Sequence, residues 1–218
     1  AALQMGQIVE AERLAAEVLK ANRNDVGAAS ILARALMMQN RNEEAIAPLE
    51  RATRRVEDAG LETLLGAALG GAGRRNEAID VLRRTTARRP PYLPAFQALA
   101  GQLHADGRID EAVAVIESAI ALAPGSLEFQ LLLAQLLPQR NERGRARQIL
   151  EKLRAAAPGH PDVLGALARV LLLEGRDEVI ARHELAENEL HLGALGGAAS
   201  LGRVLLRLGE LPAQVGVL

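Results

Sequence analysis

One recurrence constrains this chain more than any other feature. A Gly or Asn stands at Gly6, Asn40, Gly73, Gly107, Asn141, Gly175 and Gly209, at intervals of 34, 33, 34, 34, 34 and 34 residues. Eight residues before the last six of these markers come Leu32, Leu65, Leu99, Leu133, Leu167 and Leu201, and four before come Leu36, Leu69, Leu103, Leu137, Leu171 and Leu205. A small residue follows the first leucine row each time: Ala33, Gly66, Ala100, Ala134, Ala168 and Gly202. A second small row, Ala11, Ala45, Ala78, Ala112 and Ala146, follows the markers by five.

Leucines at i and i+4 with a small neighbour make one buried helical stripe. The Gly or Asn after it ends the helix, because those residues enter the left-handed backbone region at low cost. Past the marker, NRNEEAIAPLERA, GRRNEAIDVLRRT and GRIDEAVAVIESA open with Asn, Asp and Glu, which suit a helix start, and continue with apolar residues at helical spacing. The unit is therefore an antiparallel helix pair, drawn close by facing small residues. In three units the second helix runs into Pro90, Pro124 or Pro158, which cannot continue it.

Composition agrees with an all-α chain. Hydrophobic residues make up 49% of the 218, yet aromatics only 1%, so the core is built of Ala, Leu, Val and Ile. A net charge of -1 supplies no general attraction to nucleic acid or an acidic membrane. The absence of Cys removes disulfides, thiolate metal sites and thiol nucleophiles. No apolar run reaches the ~18 residues of a membrane helix, and the first residues lack the pattern of a signal peptide. A soluble protein is expected, in the cytoplasm rather than the periplasm. The abundance of Ala, Arg, Gly and Leu beside few Lys suggests a bacterial source.

The pattern of a 34-residue helix pair with small, small, Pro at these spacings resembles the tetratricopeptide repeat (TPR). The likeness is clearest over residues 93–126, where Ala100, Gly107, Ala112, Ala119 and Pro124 fall on the family's signature positions. It implies an α-solenoid: a right-handed superhelix of antiparallel helix pairs, each touching only its neighbours. The expected register is one array over 1–218, with a partial repeat 1–25, repeats 26–58, 59–92, 93–126, 127–160 and 161–194, and a partial repeat 195–218. Repeat 161–194 is degenerate, with Ile180, Glu184 and Glu187 at positions expected to be apolar or small, followed by HLGALGGAAS. Its Gly-rich part is the expected hinge or proteolysis site. Pro48 and Pro138 fall inside expected helices. Both ends cut through a repeat, so the array is expected to continue or to be capped.

Catalytic constellations are missing from this pattern. GAALGGAGRR follows a helix and lacks both GxGxxG and GK[ST], so close packing explains its glycines better than a phosphate does. His183, Glu187 and His191 share one helical face, but HELAENELH is not HExxH and reads as a solvated acidic face. Ser30, Ser118, Ser126 and Ser200 have no evident His and acid partners. The pairs Arg54–Arg55, Arg83–Arg84 and Arg88–Arg89 sit late in second helices, where they complement the helix dipole. Without aromatics to stack bases, an RNA role is disfavoured. No enzyme activity, metal or cofactor is expected of this chain.

In the TPR family the first helices line a concave surface, so the resemblance implies a groove. Its exposed rows lie six before each marker (Arg34, Ala67, Gly101, Gln135, Arg169, Arg203) and ten before (Ser30, Thr63, Gln97, Leu131, Gly165, Ala199). The expected partner-binding residues are Arg34, Gln97, His104, Gln135, Arg169 and Arg203 for polar register, with Met37 and Leu131 for apolar contact. Arg169 and Arg203 occupy equivalent places in adjacent repeats and suit one carboxylate or phosphate. The Lys and Asn set of chaperone-binding members is absent from these rows. The expected function is a non-catalytic scaffold or adaptor holding a protein or peptide segment in the groove. Two alternatives accompany it. One is the substrate-recruiting array of a larger bacterial enzyme of glycosyltransferase, sulfotransferase or oxygenase type. The other is a self-assembling component of an envelope machine, associating through its open ends.

Overall fold

A computed structural model describes residues 2–177. The chain divides into two compact units, 1–166 and 167–218. Described residues form α1 (Ala2–Ala21), α2 (Val26–Met38), α3 (Asn42–Thr53), α4 (Ala59–Gly71), α5 (Arg75–Thr86), α6 (Leu93–Ala105), α7 (Ile109–Leu122), α8 (Leu127–Leu136), a 3-10 turn (Leu137–Arg140) and α9 (Arg143–Ala156). Helix α10 covers residues 161–177, of which 161–166 belong to the first unit. No strand occurs among the described residues.

From α1 to α9 each helix packs on the next in chain order, and α2, α4 and α6 also touch in succession. These are the contacts of an all-α solenoid, in which a pair meets only adjacent pairs. The first helices start on side-chain caps: Asp25 Oδ1 accepts the Ala28 N–H at 2.7 Å, Asp58 Oδ1 that of Leu61 at 2.7 Å, and Ser126 Oγ that of Phe129 at 3.4 Å. Helix α6 has no such cap and carries Pro94 in its first turn instead.

The way these helices stop explains the spacing of the sequence. Asn40, Gly73, Gly107 and Asn141 have φ of 60, 83, 77 and 62°. The N–H of the residue after each marker reaches back to the carbonyl of Leu36, Leu69, Leu103 or Leu137, at 2.9, 2.9, 2.9 and 3.0 Å. The marker's own N–H bonds to Met37, Gly70, His104 or Pro138 at 2.9 to 3.1 Å, which completes the double closure of a Schellman end. The same four leucines are at most 3% exposed. One residue row therefore closes the helix through its backbone and fills the core through its side chain.

Both ends differ from expectation. Gly6 lies inside α1 and Gly175 inside α10, so neither ends a helix. A lone Gly costs a helix only about 1 kcal/mol, and the left-handed stop prevails where a buried leucine anchors the returning chain. Leu171, four before Gly175, is 43% exposed, and no Leu stands four before Gly6. Gly209, the segment 178–200 and the partial repeat 195–218 lie outside the described residues.

Second helices also start differently from the expected Asn, Asp or Glu caps. Arg41, Arg74, Arg108 and Glu142 hold the cap positions, and none makes a side-chain cap bond. Acidic residues do occupy the first turns of α3, α5 and α7, where they suit the dipole. Pro48 is buried within an α3 that nonetheless runs on to Thr53. Pro138 has the larger effect, since α8 ends at Leu136 and the 3-10 turn carries the chain to Asn141.

Packing between paired helices rests on the small rows. Ala33, Ala134, Ala45, Ala78, Ala112 and Ala146 are fully buried, as are Leu49, Leu82, Ile116 and Leu150 on the second helices. At Gly66 an added Cβ would lie 2.5 Å from Leu82 Cγ, too close for any side chain. Pro90, Pro124 and Pro158 each follow the end of a second helix, as the sequence predicts.

Candidate functional site

The exposed side chains of the first helices are those that the core and the Schellman ends do not use. Arg34 on α2, Gln97 and His104 on α6, and Gln135 on α8 are all exposed. The side chains of Arg34, Gln97 and Gln135 make no hydrogen bond or ion pair with another described residue. His104 is engaged, the Gln139 Nε2 amide on the 3-10 turn donating to its Nε2 at 2.8 Å. On α4 the equivalent positions are small: Thr63, whose hydroxyl donates to the Ala59 carbonyl at 2.6 Å, and a half-buried Ala67. Gly101 on α6 has open space where a Cβ would be.

Leu131 is a correction. It is 9% exposed and is buried in α8 together with Phe129 and Leu133. Met37 is half-buried against the core of the first repeats, whereas its neighbour Met38 is 65% exposed and Ile31 is 52% exposed. Ile31, Arg34 and Met38 follow one another at i, i+3 and i+7, a single stripe on the outer side of α2. Sequence reasoning selects Met37 and misses that stripe, although the helical spacing carries its signal. Arg169 is exposed and lies in the second unit. Arg203, His183, Glu187 and His191 lie outside the described residues.

A second periodic feature lies where each pair turns. Arg41 forks onto Glu44 at 2.7 and 2.6 Å, Arg74 onto Glu77 at 2.7 and 2.7 Å, and Arg108 onto Glu111 at 2.7 and 2.8 Å. In the next repeat the polarity is reversed, with Arg145 reaching Glu142 at 3.1 Å. These pairs extend to the neighbouring repeat: Arg41 to Glu12 at 2.7 Å, Arg74 to Glu43 at 3.4 Å, Arg83 to Glu111 at 2.5 Å and Arg145 to Glu117 at 2.5 Å. The arginine partners hold the Glu44, Glu77 and Glu111 carboxyls below the usual carboxylate range. Glu12 is lowered first by the Gln39 amide and then by Arg41. Solvent screens exposed pairs of this kind, so each adds little net stability. Their use of charge is structural, and it leaves Arg34 as an uncommitted cation on the first-helix face.

Among the described residues no group of three or more His, Cys, Asp or Glu side chains is placed to hold a metal ion, and no helix is long and apolar enough to cross a membrane. No nucleophile stands beside a base and an orienting acid among the hydrogen bonds described above.

The chain is similar to PilF of Pseudomonas aeruginosa at 22% identity over 94% of this chain and 92% of that one, with a TM-score of 0.63. A thermophilic TPR protein of Thermus thermophilus is similar at 24% identity over 78% and 93%, with a TM-score of 0.61. YrrB, described as a TPR protein with an unusual peptide-binding site, is similar at 20% identity over 75% and 84%, with a TM-score of 0.58. At these identities the likeness is one of fold. No curated protein sequence matches the chain. Family models described as tetratricopeptide repeat match residues 2–67, 103–170 and 63–126, together most of the chain. With its helix pairs, Schellman ends and small-residue interfaces in the same register, the chain belongs to the tetratricopeptide-repeat family.

Proposed function

We propose that this array is a non-catalytic interaction scaffold that holds an extended or helical segment of a partner protein against its first helices. The repeat register 26–58, 59–92, 93–126, 127–160 and 161–194 is part of this proposal. The observation that carries it is the division of labour among side chains. Arginines at the pair turns are matched by carboxylates, while Arg34, Gln97 and Gln135 are exposed and unmatched on the first helices. Unmatched polar groups beside exposed Ile31 and Met38 suit a partner surface of an apolar anchor with polar contacts around it. The small residues Ala67 and Gly101 between them leave room for a backbone to approach. Arg169 with Arg203 is proposed as an anion-binding pair of the second unit.

Partner capture from the source cell, quantified by mass spectrometry, tests this reading. A variant carrying Arg34→Glu, Gln97→Glu and Gln135→Glu is expected to lose its captured proteins at an unchanged melting temperature. Equal capture by variant and parent would dispose of the first-helix site. Arg169→Glu with Arg203→Glu tests the second unit in the same way.

A further inference from the structure

The second helices carry a cleft that this proposed function does not use. It lies between α3 and α5, with Leu65 and Leu69 of α4 as its floor and Val81 of α5 as an apolar wall. Two adjoining cavities of about 350 and 410 Å³ make it up, and both are lined by Thr53, Arg54, Leu65, Val81 and Arg84. That volume is within the range that binds small ligands or single side chains with their flanking backbone.

Charge is unevenly distributed along the cleft. Arg54 and Arg84 line both cavities, and the first cavity adds Arg88 with Glu62 as its acidic neighbour. Glu62 is already satisfied: Arg88 forks onto it at 2.8 and 2.5 Å, and the buried Thr85 hydroxyl lies 3.0 Å from its Oε2. Arg88 also reaches Glu57 at 3.2 Å, so its charge is matched twice over. Arg84 is different. It makes no ion pair among the described residues, and its one hydrogen bond is a 3.3 Å contact from Nε to the Asp80 backbone carbonyl. Arg54 meets a carboxylate only at 3.7 Å, from Glu50. The second cavity adds Glu50, Glu77 and Asp80 beside the same two arginines, and Glu77 is held by Arg74 at 2.7 Å.

We infer that this cleft is a second docking surface, for an acidic peptide segment that places an aliphatic side chain over Leu65 and Val81 and the carboxylate next to it between Arg54 and Arg84. The apolar floor supplies burial and the two arginines supply a fork for the anion. Asp80 and Glu50, which line only the second cavity, disfavour a further carboxylate there and so set the direction in which the segment lies. This surface is separate from the first-helix face, so the two readings stand or fall independently.

The experiment uses a fluorescein-labelled short peptide with a Leu-Ile pair followed by two Glu, and its counterpart with two Lys. Fluorescence anisotropy on the full chain is expected to show saturable binding of the acidic peptide, weakened by salt, and none of the basic one. Arg84→Glu and Arg54→Glu, both at exposed positions with no part in the core, are each expected to weaken it by at least ~10-fold, while Arg34→Glu leaves it unchanged. Methyl NMR shifts at Leu65, Leu69 and Val81 on titration locate the peptide in the cleft. Absence of saturable binding, binding that survives both charge reversals, or methyl shifts elsewhere would each overturn the inference. Displacement of the peptide by equimolar inorganic phosphate would overturn it too, by reassigning the arginines to a small anion.

Discussion

Adding one methyl group at Gly66 and the same methyl group at Gly101 should move stability in opposite directions. Both glycines are interior to first helices, at equivalent neighbouring rows of their repeats. Intrinsic helix propensity favours Ala over Gly by about 1 kcal/mol at either position. Gly101 is exposed and an added Cβ meets nothing within 4 Å, so that gain is realised in full. At Gly66 the new carbon would sit 2.5 Å from Leu82 Cγ, 2.7 Å from Cδ2 and 3.0 Å from Cδ1. Leu82 is fully buried, so it has no free space to swing into. The helices must then separate or Leu82 must leave its rotamer, an overpacking that costs about 1 to 3 kcal/mol.

The net expectation is up to ~2 kcal/mol of destabilisation for Gly66→Ala and ~1 kcal/mol of stabilisation for Gly101→Ala. For a chain of this size each kcal/mol displaces the melting temperature by roughly 2 to 4 °C. Differential scanning calorimetry on the two variants and the parent reads the sign directly. A double variant with Leu82→Ala adds a control, because removing Cγ and both Cδ carbons should make Gly66→Ala tolerable and give a favourable coupling energy in the cycle. If Gly66→Ala raised the melting temperature as much as Gly101→Ala does, the close approach of α4 and α5 would be refuted, and with it the argument that small rows set the helix spacing.

Other consequences follow from the same geometry. Ala112→Leu adds three carbons at a fully buried contact and is expected to cost about 1 to 3 kcal/mol, read by chemical denaturation. Asn40→Ala places a Cβ-bearing, non-Asx residue at φ 60° and should cost about 1 kcal/mol, whereas Asn40→Gly should be neutral or stabilising. In acid, the carboxyls of Glu44, Glu77 and Glu111 are lower in the folded chain than their ordinary 4.5, by hydrogen bonds from Arg41, Arg74 and Arg108. Their contribution is thus present above that value and lost as pH falls through the folded values; the melting temperature should fall on that limb, and Arg74→Gln should shallow the fall.

Much of this fold is legible because each repeat states its own boundaries. The leucine four before a marker fills the core with its side chain and accepts the closing N–H with its backbone carbonyl, so one periodic row marks both the buried stripe and the helix end. Sequence and structure part where that double use lapses. Gly6 and Gly175 keep the spacing but lack a buried leucine behind them, and the helix runs through. The second-helix caps differ for another reason: the Arg at the cap and the Glu three residues on satisfy each other as side chains, so the cap bonds expected of the local Asn, Asp and Glu are not made.

The candidate sites are less legible, and the cause lies in how repeat arrays are stabilised. Positions that face neighbouring helices answer to packing and repeat every 34 residues. Positions that face a partner answer only to that partner, so the six-before row passes from Arg34 through Ala67 and Gly101 to Gln135 with no period to follow. Leu131 shows the hazard, since it stands on an outward row by count but is only 9% exposed in α8. Arg84 shows the converse. Its place near the end of α5 suits a role with the helix dipole, and only the three-dimensional arrangement distinguishes it from Arg88, whose charge Glu62 and Glu57 have already taken. A cation's availability is a property of its neighbours across the array, 23 to 31 residues away in the hydrogen bonds around Glu62 and Arg88, and that separation is what a reading along the chain does not contain.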